Sequence, residues 1–274
     1  MSEYLIFRLK SSGQRTVVGS FLVAATVALG VVGPATALAD DDHRLKAVPF
    51  AFVGTAAQCA PSPAGSRIVT SAWLGGMGLP DNGGANTTFT TVLVPANQQD
   101  PHLGLLLSKN GPTPDCSSSG AIIKGVKGMT VIAGFHVGFD YRNGGHCGAG
   151  APRFNIDTDM GSFFVGCANA PQSPAPQDPD QWTRTRSVLT ACGSECFNTT
   201  LNVAGSIPVG ATINSIDILF DEGTDIESND TQGVGLAVLD NININGRLIT
   251  RGTGIEDGIN RDKNKKNKDG DDDD

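Results

Sequence analysis

Apolar and polar residues alternate along this chain in short runs, and the runs end at Gly, Pro, Asn and Asp. Alternation with a period of two puts successive side chains on opposite faces of a strand. The longest run is Met129 to Tyr141, where Val131, Ala133, Phe135, Val137, Phe139 and Tyr141 share one face. Arg67 to Leu74, the Thr- and Val-rich Thr88 to Pro95, Leu103 to Leu107, Arg153 to Ile156, Ser162 to Val165 and Thr183 to Leu189 are shorter runs. Ile213 to Phe220 places Ile216, Ile218 and Phe220 together, and Gly233 to Leu239 does the same with Val234, Leu236 and Val238. Ile242 and Ile244 lead into Asn245-Gly246, a strong hairpin signal, with Arg247 to Thr250 returning. No stretch keeps a helical period. Many short strands separated by turn residues predict an all-β protein built as an antiparallel sandwich or barrel.

Three segments fall outside the pattern. The N-terminus has Arg8, Lys10 and Arg15 before the apolar run Val17 to Val32, and Ala37-Leu38-Ala39 precedes Asp40. This order reads as a secretory signal cleaved after residue 39; the run is short of the ~20 residues of a membrane span. Residues 40–255 are then the folded domain. Residues 256–274 close the chain with a charged tail that includes RDKNKKNKDGDDDD, which has no apolar residue to bury and is expected to be disordered. Pro171 to Gln181 (PQSPAPQDPDQ) reads as an irregular loop that forms no ladder bonds. No later segment is long and apolar enough to span a membrane.

Charge narrows the partners. The 274-residue chain carries a net charge of −8, and loss of the leader takes it to −10, because the leader holds three basic residues and one acid. An acidic protein is a poor phosphate binder, so nucleic acid is not an expected partner. The six cysteines suit an exported, disulfide-stapled domain. Spacing favours Cys147 with Cys167 around one strand-like run and Cys192 with Cys196 across a tight turn, leaving Cys59 for Cys116. Zinc fits less well, since no CxxC pair is present and His146 beside Cys147 has no matching partner.

Two constellations carry candidate chemistry. If Val137 to Tyr141 and Arg153 to Ile156 are neighbouring strands, then His136, Asp140, Arg153, Asn155 and Asp157 gather on one face of a hairpin. Phe139, Tyr141, Phe154 and Ile156 turn to the core. The plain reading is a wet sheet face with an Asp140–Arg153 ion pair. The functional reading is a shallow site for a polar ligand such as a sugar, because Asp, Asn and Arg make the forked hydrogen bonds that hydroxyl groups take. Trp182, at the edge of the Pro-rich loop, is the candidate exposed aromatic. The second constellation is FDEGTDIESND, Phe220 to Asp230. Asp221, Glu222 and Asp225 crowd a post-strand loop and Asp240 follows on the next strand, oxygen ligands that suit a structural calcium ion; the alternative is a solvated acidic loop. No nucleophile elbow, zinc-protease helix, P-loop or Cys–His catalytic context is present, so no catalytic residues are expected.

Three blocks, LLLSKNGPTPDCSSSGAIIKGV, FDYRNGGHCGAGAPRFNI with FFVGC, and ILFDEGTD…VLDNININGRLI, together resemble a group of exported bacterial β-sandwich proteins with no established activity. The resemblance spans Leu103 to Ile249. It implies secretion and a β-sandwich, and carries over no catalytic residues. The last block is also similar to the end of jelly-roll modules that pack beside larger extracellular domains. The expected fold is therefore an antiparallel β-sandwich of jelly-roll, galactose-binding-like type. The expected role is a secreted or cell-surface, non-catalytic module binding extracellular carbohydrate. A structural surface protein without a small ligand and a hydrolase of extracellular polymers are the rivals.

Overall fold

The computed structural model describes residues 44–65, 68–79, 102–225 and 233–250. The leader, the Thr88 to Pro95 run and the charged tail lie outside the described residues. Within them the chain forms β1 (Lys46–Val53), β2 (Val69–Leu74), β3 (Gly104–Lys109), β4 (Ser117–Lys124), β5 (His136–Arg142), β6 (Arg153–Thr158) and β7 (Gly161–Gly166). It continues with β8 (Gln172–Pro174), β9 (Trp182–Val188), β10 (Cys196–Asn198), β11 (Val203–Ala204), β12 (Ile213–Phe220), β13 (Leu236–Ile244) and β14 (Arg247–Ile249). One helical turn, α1 (Ala56–Cys59), starts at a Thr55 capping box with Gln58.

The strands build a sandwich of two seven-stranded antiparallel sheets. The first runs β1-β4-β12-β6-β7-β10-β11, and the second β2-β3-β13-β5-β9-β8 with β14 beside β13. Between them lies one core. Phe135, Phe139, Phe154, Phe163 and Phe220 are among its largest fully buried side chains. Phe139 of β5 and Phe154 of β6 meet across the sandwich with ring centroids 5.5 Å apart.

That contact corrects the expected hairpin. β5 pairs with β13 and β9, whereas β6 pairs with β12 and β7 in the opposite sheet. The inner faces were read correctly, but they meet across the core and not side by side. The Met129 to Tyr141 run is also shorter as a strand than its alternation suggests. Only His136 onward joins the ladder, and Ala133 is exposed in the preceding loop.

β13 changes face midway. Ala237 and Leu239 enter the main core, so Leu236 and Val238, which share one face as the alternation places them, point outward. An irregularity between Asp240 and Asn243, with Asn241 at φ 44°, then restores Ile242 and Ile244 to the core. Asn245 (φ 51°) and Gly246 (φ 81°) make the β13–β14 turn that their sequence predicts.

The Pro-rich segment folds back over the outer face of the second sheet. Gln172 to Pro174 pairs with β9 as β8, so this stretch does form a short ladder. Beneath it Trp182 is 2% exposed and packs with Leu79, Ala175 and Val238 as a second small core. The disulfides are Cys59–Cys116, Cys147–Cys167 and Cys192–Cys196, the pairs that the spacings favour.

Candidate functional site

The expected site divides between the two sheets. His136, Asp140 and Trp182 belong to the second, and Arg153, Asn155 and Asp157 to the first. Asp140 does not pair with Arg153. It is fully buried on the outer side of the second sheet, where Arg184 Nε and Nη2 donate to its two oxygens at 2.8 and 2.9 Å. Asn241 Nδ2 adds a bond of 2.9 Å, and Arg186 stands 3.6 Å away. Asn241 also donates to Gln177 of the covering loop. Asp240, the cross-strand neighbour of Asp140, accepts from the backbone N–H groups of Leu79 and Asn241 at 3.0 and 2.7 Å. Both carboxylates are buried and hydrogen-bonded, so this cluster offers nothing to an extended polymer. Trp182 is part of the same sealed region and is not the exposed aromatic expected from the sequence.

The first sheet's outer face is different. Register places Val48, Ile122, Asp217, Asn155, Phe164 and Phe197 in one row across β1, β4, β12, β6, β7 and β10. All six are exposed or half-buried. Asn155 Nδ2 donates to Asp217 Oδ2 at 2.9 Å, while Asn155 Oδ1 accepts from Arg153 Nε at 3.0 Å. Arg153 donates to both Asp221 oxygens at 2.6 and 2.8 Å and stacks over the Phe164 ring, 4.6 Å from its centroid. A fixed polar ladder, Asp221–Arg153–Asn155–Asp217, thus runs down the middle of the face with rings beside it. Asp157 lies further along β6, held by Ser162 and Asn214.

The ladder has its own electrostatics. Burial pushes the Asp217 carboxyl up to about 6, against the lowering effect of the Asn155 amide and Arg153. Burial also works against the Arg153 charge, but Asp221, with Glu222 and Asp217 behind it, outweighs this and raises its pKa.

At its upper end the ladder runs into the loops that join the sheets. His146, fully buried, meets Glu222 at 2.7 Å and sets its edge on the Phe220 ring. A Cβ on Gly148 or Gly150 would run into the Glu222 carboxylate, so the Gly-rich run leaves room for that side chain. Lys109 is buried as well, and its ammonium donates to the carbonyls of Thr113, Asp115 and Asp221 at 2.8–3.0 Å. Asp225 accepts from Thr113 N–H and hydroxyl; its slight burial opposes ionisation, but these bonds hold its carboxyl below the usual range. The two sequence constellations are therefore joined at one end of the sandwich, through Arg153–Asp221 and His146–Glu222.

Of the four carboxylates expected to hold calcium, Asp221, Glu222 and Asp225 share this loop and each meets a protein donor. Asp240 lies in the other cluster. Among the described residues no group of three or more His, Cys, Asp or Glu side chains is placed to hold a metal ion.

Sequence reasoning missed Asp217, Lys109 and the role of His146. Asp217 had a signal: it is an acid between Ile216 and Ile218, on the outward half of an alternating run. Lys109 had a weaker one, a single cation at the end of an apolar strand.

No family model, curated protein or solved structure matches this chain.

Proposed function

We propose that this protein is a non-catalytic extracellular binding module whose ligand, a carbohydrate, lies on the outer face of the first sheet. The carrying observation is the polar ladder Arg153–Asn155–Asp217, set between the Phe164 and Phe197 rings on one side and the Val48 and Ile122 side chains on the other. Sugars present hydroxyl groups that donate and accept at once, with apolar C–H faces between them. An amide, a carboxylate and a guanidinium held in line meet the first need, and half-exposed rings meet the second. Because the ladder's own bonds fix its side chains, little rotamer freedom is left to lose on binding. Around Asp140 and Arg184 the second sheet's outer face is closed by Trp182 and its loop, whereas the row across the first sheet's outer face is open.

Strand order supports the finer fold reading. β3, β13, β5 and β9 stand side by side in one sheet, and β4, β12, β6 and β7 in the other. Taken along the chain, each of these eight strands passes to the other sheet except β6, which pairs with β7, the order that a jelly roll has. Disulfides support an oxidising, non-cytoplasmic location.

The test is a binding screen of the chain from Asp40 onward against a glycan array and insoluble polysaccharides. Binding that falls about tenfold or more in both Asn155→Ala and Phe197→Ala, with melting behaviour retained, is the expected result. Folded protein that retains no glycan, or a hit untouched by either substitution, overturns the assignment.

A further inference from the structure

The two ends of the sandwich differ in chemistry. The end with Lys109, His146 and Glu222 is internally bonded and exposes two large apolar side chains, Val53 and Ile68. At the opposite end β1, β5 and β12 start, while β4, β6, β9 and β13 finish, and there the Val131 N–H donates to the Ala211 carbonyl and the Gly210 N–H to the Val131 carbonyl, tying the β4–β5 loop to the segment before β12. The large apolar side chains at that end are exposed: Ile132 54%, Met160 50%, Val188 39%, Leu201 68%, Val203 50% and Val209 61%. They stand on turns and strand ends, not on one sheet face, so no strand-to-strand pairing would cover them.

Basic residues share this end. Lys46 lies directly opposite Lys124 in the β1–β4 ladder, and Arg44 and Lys127 are exposed next to them. Asp157 and Asp159 are the acids on the β6 side of the rim, each bonded to protein donors. Apolar tips across one end, with lysines at its β1–β4 edge, are the composition that settles into the headgroup region of an anionic bilayer, the tips entering the acyl boundary while the ammonium groups meet lipid phosphates.

We infer that this end of the sandwich is a docking surface for an anionic membrane. Seated this way, the domain would turn its opposite loop end outward and leave the first sheet's outer face standing clear of the bilayer.

Vesicle co-sedimentation tests it, using the chain from Asp40 onward, which holds every described strand. Binding is expected to vesicles of phosphatidylcholine mixed with phosphatidylglycerol, and not to phosphatidylcholine alone. Each lysine lost should weaken binding about fivefold at low salt, so Lys124→Glu combined with Lys127→Glu should nearly abolish it. Leu201→Asp combined with Val209→Asp should weaken it at all salt concentrations. A Val209→Trp variant gives a readout independent of loss, since its emission should shift to the blue when the mixed vesicles are added. No sedimentation with either lipid, or sedimentation that all these variants leave unchanged with no spectral shift, overturns the assignment. Sensitivity to the lysines alone would also overturn it, because it would reduce the surface to charge adsorption without insertion.

Discussion

The Asp140 carboxylate and the Arg184 guanidinium stand directly opposite each other on β5 and β9, meet through two hydrogen bonds of 2.8 and 2.9 Å, and are 0% and 1% exposed. The sheet face that carries them is an outer one, and it became an interior only because the Pro-rich segment closes over it. A charged pair taken out of water holds together well but tolerates the loss of either member badly. Arg184→Met or Asp140→Leu should each cost about 3–5 kcal/mol, because each strands a buried charge. The paired replacement Asp140→Leu with Arg184→Met should cost less than the sum of the two, and urea unfolding of the four proteins measures the coupling. Additive losses would show that the pair is not a unit.

Trp182 sits in the same layer, and its burial changes what its substitution should report. Trp182→Ala removes a large side chain from a small core that also holds Leu79, Ala175 and Val238, and should cost about 3–5 kcal/mol. Glycan binding by whatever protein remains folded should be unaffected. Its emission in the native protein should be blue-shifted and inaccessible to iodide. Iodide quenching of Trp182 in a Trp73→Phe background would contradict the packing.

The sequence reading of these positions succeeded and failed for one physical reason. Alternation reports which side chains turn inward, and Phe139 and Phe154 do turn inward. It does not report what they turn toward. Two strands joined by a loop give the same alternation whether they pair in one sheet or face each other across a core, so the β5–β6 relationship was open until the ladder was seen. The outward positions suffer more. Arg184 and Trp182 alternate as a solvated face would, and alternation does not say that the Pro-rich segment just before them folds back on top. The cysteines were legible because covalent spacing acts locally, and the Asn245-Gly246 turn because two residues dictate its backbone. Asp221 and Glu222 stand out in the sequence as part of an acidic loop. Their partners Arg153 and His146 come from another block, and only the fold joins them.

The three disulfides close loops of different length, and the unfolded chain should feel the longest most. Sequence separations of 57, 20 and 4 for Cys59–Cys116, Cys147–Cys167 and Cys192–Cys196 order their contributions. In the chain-entropy account these are roughly 4, 3 and 2 kcal/mol. Paired Cys→Ser variants, melted one by one, should follow that order. A Cys192/Cys196 variant less stable than the Cys59/Cys116 variant would mean that native packing around the sulfurs, not loop closure, sets the effect.

Asp217 offers a pH test of the proposed binding face. Its carboxyl is raised to about 6 in the folded protein, chiefly by burial, whereas an exposed aspartate ionises near ~3.9. Between those values the folded state holds the proton more tightly than the unfolded chain does, so stability falls as pH rises from roughly 4 to 6 and levels off above. The shift corresponds to about 2–3 kcal/mol as an upper figure, since the residue is only half-buried. Asp217→Asn keeps an oxygen for the Asn155 amide and removes the charge. The variant should melt with the parent at pH 4 and above it at pH 8, with a gain in unfolding free energy no larger than that figure. If the face binds its ligand through an ionised Asp217, the same variant should lose affinity at pH 8 while gaining stability. Equal melting temperatures at both pH values would show that the carboxyl is not shifted.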